Sequence, residues 1–461
     1  MSIKDNQLAT KLLRSLNEAR ALLSLGLPII VAHFAVVGMS LTDTVMAGQA
    51  GVVDLAGLAV SVNLWIPLSM CLIGVLTGIV PLTAQYRGAN QPENVTRILR
   101  QASWLGIGGG LLVAVLIILG LPLVELLAAE PPVTQVAQGY LFAIAFGLPA
   151  LLLDIALHSW LEGMGKVRPI MFIGIFVMVL NIPLDYALVL GKWGLPALGG
   201  AGCGWATAFL CWVGLFGTLI YIFTSKDLSE YRHHLYASPQ WKSIKQILKV
   251  GIPLGLTMAA EEGFISAVVL ISLPLGTVAL GGLQVMATYM MLIVVISVGF
   301  GQAITIRVAH ALGQGNTVQA RFISYQGILW NCIIIGLACA LGLWASQDLI
   351  ALFSEDDNIK AVALGLMWLT PFALLADAIL QSVNGALRGF KDTFVPMLLL
   401  VFSYWGIAVP VAYGLIHLNL TSTPLGVTAS YFSYVLGFTC GALLLMWRMH
   451  HVFRPSYRHS L

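Results

Sequence analysis

Twelve stretches of about 20 or more mostly apolar residues follow one another through this 461-residue chain: 21–46, 55–83, 99–126, 136–160, 169–191, 197–223, 247–274, 280–306, 323–347, 361–387, 394–418 and 424–447. A helix of about 20 residues crosses a hydrocarbon core. Each run therefore reads as one membrane span. Hydrophobic residues make up 59% and charged residues 9%, against about 25% charged in an average soluble domain, which excludes a water-soluble fold. The first run begins near Ala21, behind Lys4, Lys11, Arg14 and Arg20, and is too long for a removable signal peptide, so the N-terminus is expected to be retained.

Charge fixes the expected topology. With the N-terminus in the cytoplasm, all but Lys192 and Lys360 of the 23 Lys and Arg residues fall in inward loops and tails. That bias predicts an even number of spans and both termini cytoplasmic. Spread over many short loops, the basic residues form no stripe that would bind nucleic acid. The six cysteines make no CxxC pair and lie in or beside apolar runs, which argues against a disulfide framework or a zinc site.

The longest polar connection, about Ser225 to Lys249, separates six spans from six, and the halves resemble each other. "AQYRGANQ" after span two returns as "AHALGQGN" after span eight, and "LPALLLD" in span four returns as "TPFALLAD" in span ten. Six spans per half give both copies the same orientation, related by an axis along the membrane normal. The expected architecture is an all-α polytopic membrane protein with twelve transmembrane helices in two pseudo-symmetric six-helix bundles around a central cleft. Its expected segments are a cytoplasmic N-terminal piece (1–20), an N-terminal lobe (21–224), a cytoplasmic linker (225–246), a C-terminal lobe (247–447) and a cytoplasmic tail (448–461).

Six carboxylates lie well inside these runs: Asp43, Asp154, Asp185, Glu261, Glu262 and Asp377. A charge at membrane depth costs at least about 2.5 to 3.5 kcal/mol and marks an ion or substrate pathway. At about 1.5 Å per residue, Glu261 counted from Lys249 and Asp377 counted back from Arg388 both lie roughly 17 Å from the cytoplasmic edge. Asp185 and Asp43 fall deeper, in the outer half of the first bundle. Asn181 and Asp185 are spaced by four, on one helix face, with Pro183 between them loosening the backbone ladder. Carboxylate, amide and carbonyl oxygens are hard ligands for a small cation, and Thr207 and Asp43 can add to them. Periodicity does not say which of Glu261 and Glu262 faces the cleft. Asp154, the repeat counterpart of Asp377, is open between a functional role and a neighbouring pair.

Other motifs carry less. The glycines of "GLPALGGAGCG" follow no soluble strand, so a dinucleotide fingerprint is not expected. His33 and His158 have no partner at metal-ligand spacing and read as hydrogen-bonded packing residues. The methionines and aromatics of "VMATYMMLIVV", including Met286 and Tyr289, can line a cleft for greasy substrates.

The segments "LTDTVMAGQ" (41–49), "LEGMGKVRP" (161–169), "LNIPLDYALVLGKWGLPALGGAGCGWATA" (180–208) and "LRGFKD" (387–392) resemble the multidrug and toxic compound extrusion (MATE) family, most closely its NorM-like bacterial branch, in register over essentially the whole chain. The resemblance implies two six-helix lobes about a V-shaped cavity, and export of organic compounds driven by inward sodium or proton movement. By the same resemblance, Asp43, Asn181, Asp185 and Thr207 are the cation-coupling residues of the N-terminal lobe. Glu261 and Asp377 are those of the C-terminal lobe, with Na+ or another monovalent cation as the metal they could hold, and Glu261 is preferred over Glu262. Gln284 falls where the family often reads "AHQ", here "GLQ", and Ala373 stands where relatives can carry a tyrosine. Gln284, Met286 and Tyr289 are the expected substrate contacts.

The expectation is therefore a cation-coupled antiporter in the bacterial inner membrane, working as a monomer on small organic substrates among membrane lipid. It needs no cofactor beyond the coupling ion. A dedicated natural-product exporter is the nearest alternative. A lipid-linked precursor flippase would need a basic cleft, whereas the embedded ionisable groups are almost all acidic. An intramembrane enzyme would need a nucleophile with its base or a metal cluster, and no HExxH or Ser/His arrangement is present.

Overall fold

A computed structural model describes residues 3–127, 130–232, 238–353, 356–417 and 426–454. The outer parts of the expected 1–20 and 448–461 segments and the middle of the 225–246 linker lie outside the described residues. Among the described residues there are helices and no strands. The long ones are α1 (Ile3–Ala50), α2 (Val52–Thr77), α3 (Ile79–Gly88), α4 (Pro92–Gly120), α5 (Pro131–Gly163), α6 (Val167–Leu190), α7 (Gly200–Thr224), α8 (Trp241–Ile271), α9 (Thr277–Gly313), α10 (Thr317–Trp344), α11 (Asp357–Met367), α12 (Thr370–Gly389), α13 (Phe394–Val401), α14 (Val409–His417) and α15 (Gly426–Val452).

Eleven spans are each long and apolar enough to cross a membrane, with α2–α3 and α13–α14 counting as one span each. The twelfth is broken: α11 and α12 meet at 55° across Trp368 and Leu369. Pro371 opens α12; it lacks the N–H that would continue the ladder and disfavours helical geometry at Thr370. Between α13 and α14, Phe402–Ala408 winds as a π-helix.

The chain divides into two compact units, Val31–Gly255, and Met1–Ile30 with Leu256–Leu461. We call them the first and second unit. These divisions fall inside α1 and α8, whereas the expected boundaries fell at residue 21 and in the polar stretch 225–246. Both helices run on past the apolar stretch that sequence reveals, and their basic-side ends pack on helices of the other repeat. In the second unit, Arg307 forms a bidentate pair with buried Glu18 of α1 (2.5 and 2.9 Å), and Arg14 donates to Gln319 (2.8 Å). In the first unit, the Gln240 amide donates to Gln101 (2.8 Å), the Gln246 amide donates to the Tyr86 hydroxyl (2.8 Å), and Gly251 packs on the Val75 backbone. The repeat is visible at atomic level: Ser15 meets Gln326 on α10 as Gln240 meets Gln101 on α4.

Large apolar side chains also cover the outside, as lipid requires. Leu111, Leu112, Val115 and Leu119 form an exposed stripe on α4, and Phe172, Phe176 and Val179 another on α6. Small residues make the close crossings instead; a Cβ on Gly74 would lie 2.4 Å from the Gly255 Cα.

Candidate cation sites

In the first unit the structure brings together the four residues that the sequence singles out. Asn181 and Asp185 are fully buried on α6. The Asn181 amide donates to Asp43 Oδ1 on α1 (3.1 Å) and to Asp185 Oδ2 (3.1 Å), and Thr207 on α7 donates to Asp43 Oδ2 (3.4 Å). Asp43 and Asp185, gripped by the same amide, also lie within electrostatic reach of each other. Two carboxyls this close cannot both stay bare anions; a proton or a cation must stand with them. Asn181 Oδ1 and Asp185 Oδ1 are buried without a hydrogen-bond partner among the described residues. These oxygens fit a small hard cation or a shared proton.

Local structure explains how α7 is held. The glycine-rich segment that resembles a nucleotide fingerprint is a helix start: Gly191 ends α6 in the left-handed conformation, and Asp54 Oδ1 accepts the Gly200 N–H (2.6 Å) at the N-terminus of α7. Gly199 has φ 57°, and a Cβ there would lie 2.1 Å from Asp54 Oδ1. Only glycine satisfies both constraints. Thr207 stands two turns further along.

In the second unit, Asp377 is buried on α12, accepts from Gln381 Nε2 (3.3 Å) and lies beside Ser297 of α9, while its Oδ2 has no donor among the described residues. Glu261 on α8 is half-buried and within electrostatic reach of Asp377 and Arg388. Glu262 is exposed. Sequence reasoning missed Tyr404, which is fully buried in the π-helix with its ring stacked on Phe264 (5.0 Å). Its hydroxyl has no hydrogen-bond partner among the described residues and is within electrostatic reach of Glu261 and Asp377. An embedded tyrosine is visible in the sequence, but the π-turn that aims it is not. No group of three or more His, Cys, Asp or Glu at metal-binding spacing occurs among the described residues.

The expected substrate contacts separate. Gln284 is exposed, but Met286 is fully buried and Tyr289 nearly so, both in the core of the second unit. The Tyr289 hydroxyl fills space left by Gly342. In this conformation these two are packing residues rather than cleft-lining ones, because the α9 face that carries them is the core face. Asp154 has a partner that sequence reasoning did not assign, His158 one helical turn away (3.4 Å). Spacing by four on one helix was the available signal. An apolar groove of about 830 Å³ runs along α12 and α15, lined by Trp368, Phe372 and Phe432 among others and by none of these acids.

Repeated six-span halves, each with a buried carboxylate cluster at membrane depth, define a multi-pass membrane transporter. The MatE family model matches residues 28–187 and 253–414, one stretch in each half. The chain belongs to the MatE family. It is 34% identical over 445 residues to multidrug resistance protein PmpM of Pseudomonas aeruginosa, covering 95% of this chain and 92% of that protein. Its fold is that of the eukaryotic MATE transporter AtDTX14, with a TM-score of 0.85 at 19% identity over 96% of this chain and 97% of that one. A transporter of the MOP superfamily from Pyrococcus furiosus matches equally, with a TM-score of 0.85 at 18% identity over 95% and 97% of the two chains.

Proposed function

We propose that this protein is a cation-coupled antiporter of the bacterial inner membrane, with both termini cytoplasmic, that exports cationic or amphiphilic organic compounds by alternating access. The observation that carries this reading is the cluster in which one amide, Asn181, grips two buried carboxyls, Asp43 and Asp185. Such a cluster holds a proton or a sodium ion, and exchanging that ion for an outgoing substrate is the coupling. Glu261 and Asp377, with Ser297, Gln381 and the Tyr404 hydroxyl about them, supply a second ion position. The relative PmpM is named for multidrug resistance, and the acidic character of the embedded groups suits positively charged cargo.

One elementary charge crossing the full field contributes about 2.3 kcal/mol per 100 mV, enough for roughly a fortyfold gradient at 1.4 kcal/mol per tenfold. No cofactor besides the ion is required, and one chain suffices. The test is accumulation of a fluorescent cation in cells lacking their own pumps that express wild type, Asp43→Asn or Asp377→Asn at matched membrane levels. Wild type should exclude the dye and the amide variants should not. Equal exclusion by all three would reject the assignment.

A further inference from the structure

The repeat pairs Asp154 with Asp377, and it also pairs the residues that follow. "DIALHS" (154–159) stands against "DAILQS" (377–382), so each acid has a side chain one turn on: His158 in the first unit and Gln381 in the second. In both units that side chain leans back on its acid, at 3.4 Å for His158 Nε2 to Asp154 Oδ1 and 3.3 Å for Gln381 Nε2 to Asp377 Oδ1. The same position therefore carries a non-titrating amide in one half and an imidazole in the other.

The neighbours of that imidazole suit one tautomer. The Thr218 hydroxyl on α7 lies 3.1 Å from the Gly214 carbonyl and 3.0 Å from His158 Nε2, an arrangement that suits donation to the carbonyl and acceptance from the ring. In that arrangement Nε2 carries the hydrogen, and Nδ1 keeps its lone pair for a second proton. Asp154 Oδ1 is buried with no hydrogen bond among the described residues, and its charge-capable neighbour is that same ring. The groups facing the pair from α7 are Thr218, Gly214 and, further along, the Cys211 thiol, which is within electrostatic reach of both Asp154 and Asp43. Cys203, Thr207, Cys211 and Thr218 thus form a polar stripe of α7. It runs from the Asp43–Asp185 cluster toward the Lys166 side, roughly 16 Å from Thr207 to Thr218 at the helical rise.

We propose that Asp154 and His158 form a proton-binding pair, a station on the cytoplasmic side of the Asp43–Asp185 cluster that accepts protons and refuses metal cations. In the loading step the O–H bond of a carboxylic acid in the Asp43–Asp185 cluster breaks, leaving its carboxylate; the proton travels as hydronium and forms an Nδ1–H bond on His158, Asp154 balances the imidazolium charge, and that Nδ1–H bond then breaks as the proton leaves to cytoplasmic water. A protonated ring repels a second cation, so sodium is excluded where Gln381 in the other half would admit it. The pair's placement on a route to the cytoplasm rests on the coupled-antiport reading; its titration does not.

Two measurements on the full-length protein test it. Back-titration from alkaline to mildly acidic pH should show His158→Gln binding about one proton fewer than wild type. Glutamine keeps a donor for Thr218 and recreates the Asp–Gln arrangement of the second unit. In proteoliposomes, the efflux of a fluorescent cation should lose its pH-dependent step in that range in His158→Gln, and Asp154→Asn should displace the step. Asp43→Asn should abolish efflux yet leave the back-titration difference intact, which separates failure here from failure of the antiport reading. An identical proton count in wild type and His158→Gln, a buried imidazole that never charges, overturns the proposal, as does an unchanged efflux pH profile in a His158→Gln protein that still transports.

Discussion

At the scale of residues, the first-unit site depends on one amide. Asn181 donates to both carboxyls, and leucine at that position keeps the branched shape while removing both donations. Asn181→Leu is expected to weaken ion-driven efflux at least tenfold, about 1.4 kcal/mol, with the protein still eluting as a folded species from size exclusion. Efflux within twofold of wild type would show that the carboxyls hold their arrangement unaided. Tyr404 makes a different prediction. A buried hydroxyl without a partner costs about 1 to 3 kcal/mol, so Tyr404→Phe, which keeps the stack on Phe264, should leave the detergent melting temperature unchanged or higher. Its effect should fall on ion coupling instead. A drop of several degrees would mean that the hydroxyl makes a structural bond.

At the scale of elements, Gly199 and Asp54 hold the start of α7 and so the position of Thr207. Alanine at 199 would occupy the left-handed region and collide with Asp54, strain of about 1 to 3 kcal/mol. Gly199→Ala should therefore melt several degrees lower in a thermal-shift assay, and an unchanged midpoint would contradict the cap. The same elements show what the sequence makes legible. The embedded acids and the six-plus-six repeat are plain because hydropathy and local spacing report them directly. The company of Asp43, Asn181, Asp185 and Thr207 rests on donor chemistry together with family resemblance, since three helices must pack before those side chains meet. The true lengths of α1 and α8 stayed hidden because hydropathy marks the membrane and not the helix end. Met286 and Tyr289, expected at a cleft, are buried here, because an apolar, aromatic run has the same composition whether it faces a cleft or a core.

At the scale of the whole molecule, the account requires a protein with both ends on one side and acids in each half that exchange ions for cargo. Single cysteines placed at Lys192 and at Lys226 in a cysteine-free background should label from opposite sides with a membrane-impermeant maleimide. Labelling from the same side would overturn the topology. The most direct test of the central claim is flux in proteoliposomes, with sodium and pH gradients imposed separately and a fluorescent cation as cargo. In wild type at least one of the two gradients should drive uphill movement of the dye, and neither should do so in Asp43→Asn or Asp185→Asn. Dye movement that ignores both gradients, or that persists undiminished in the two amide variants, would contradict it.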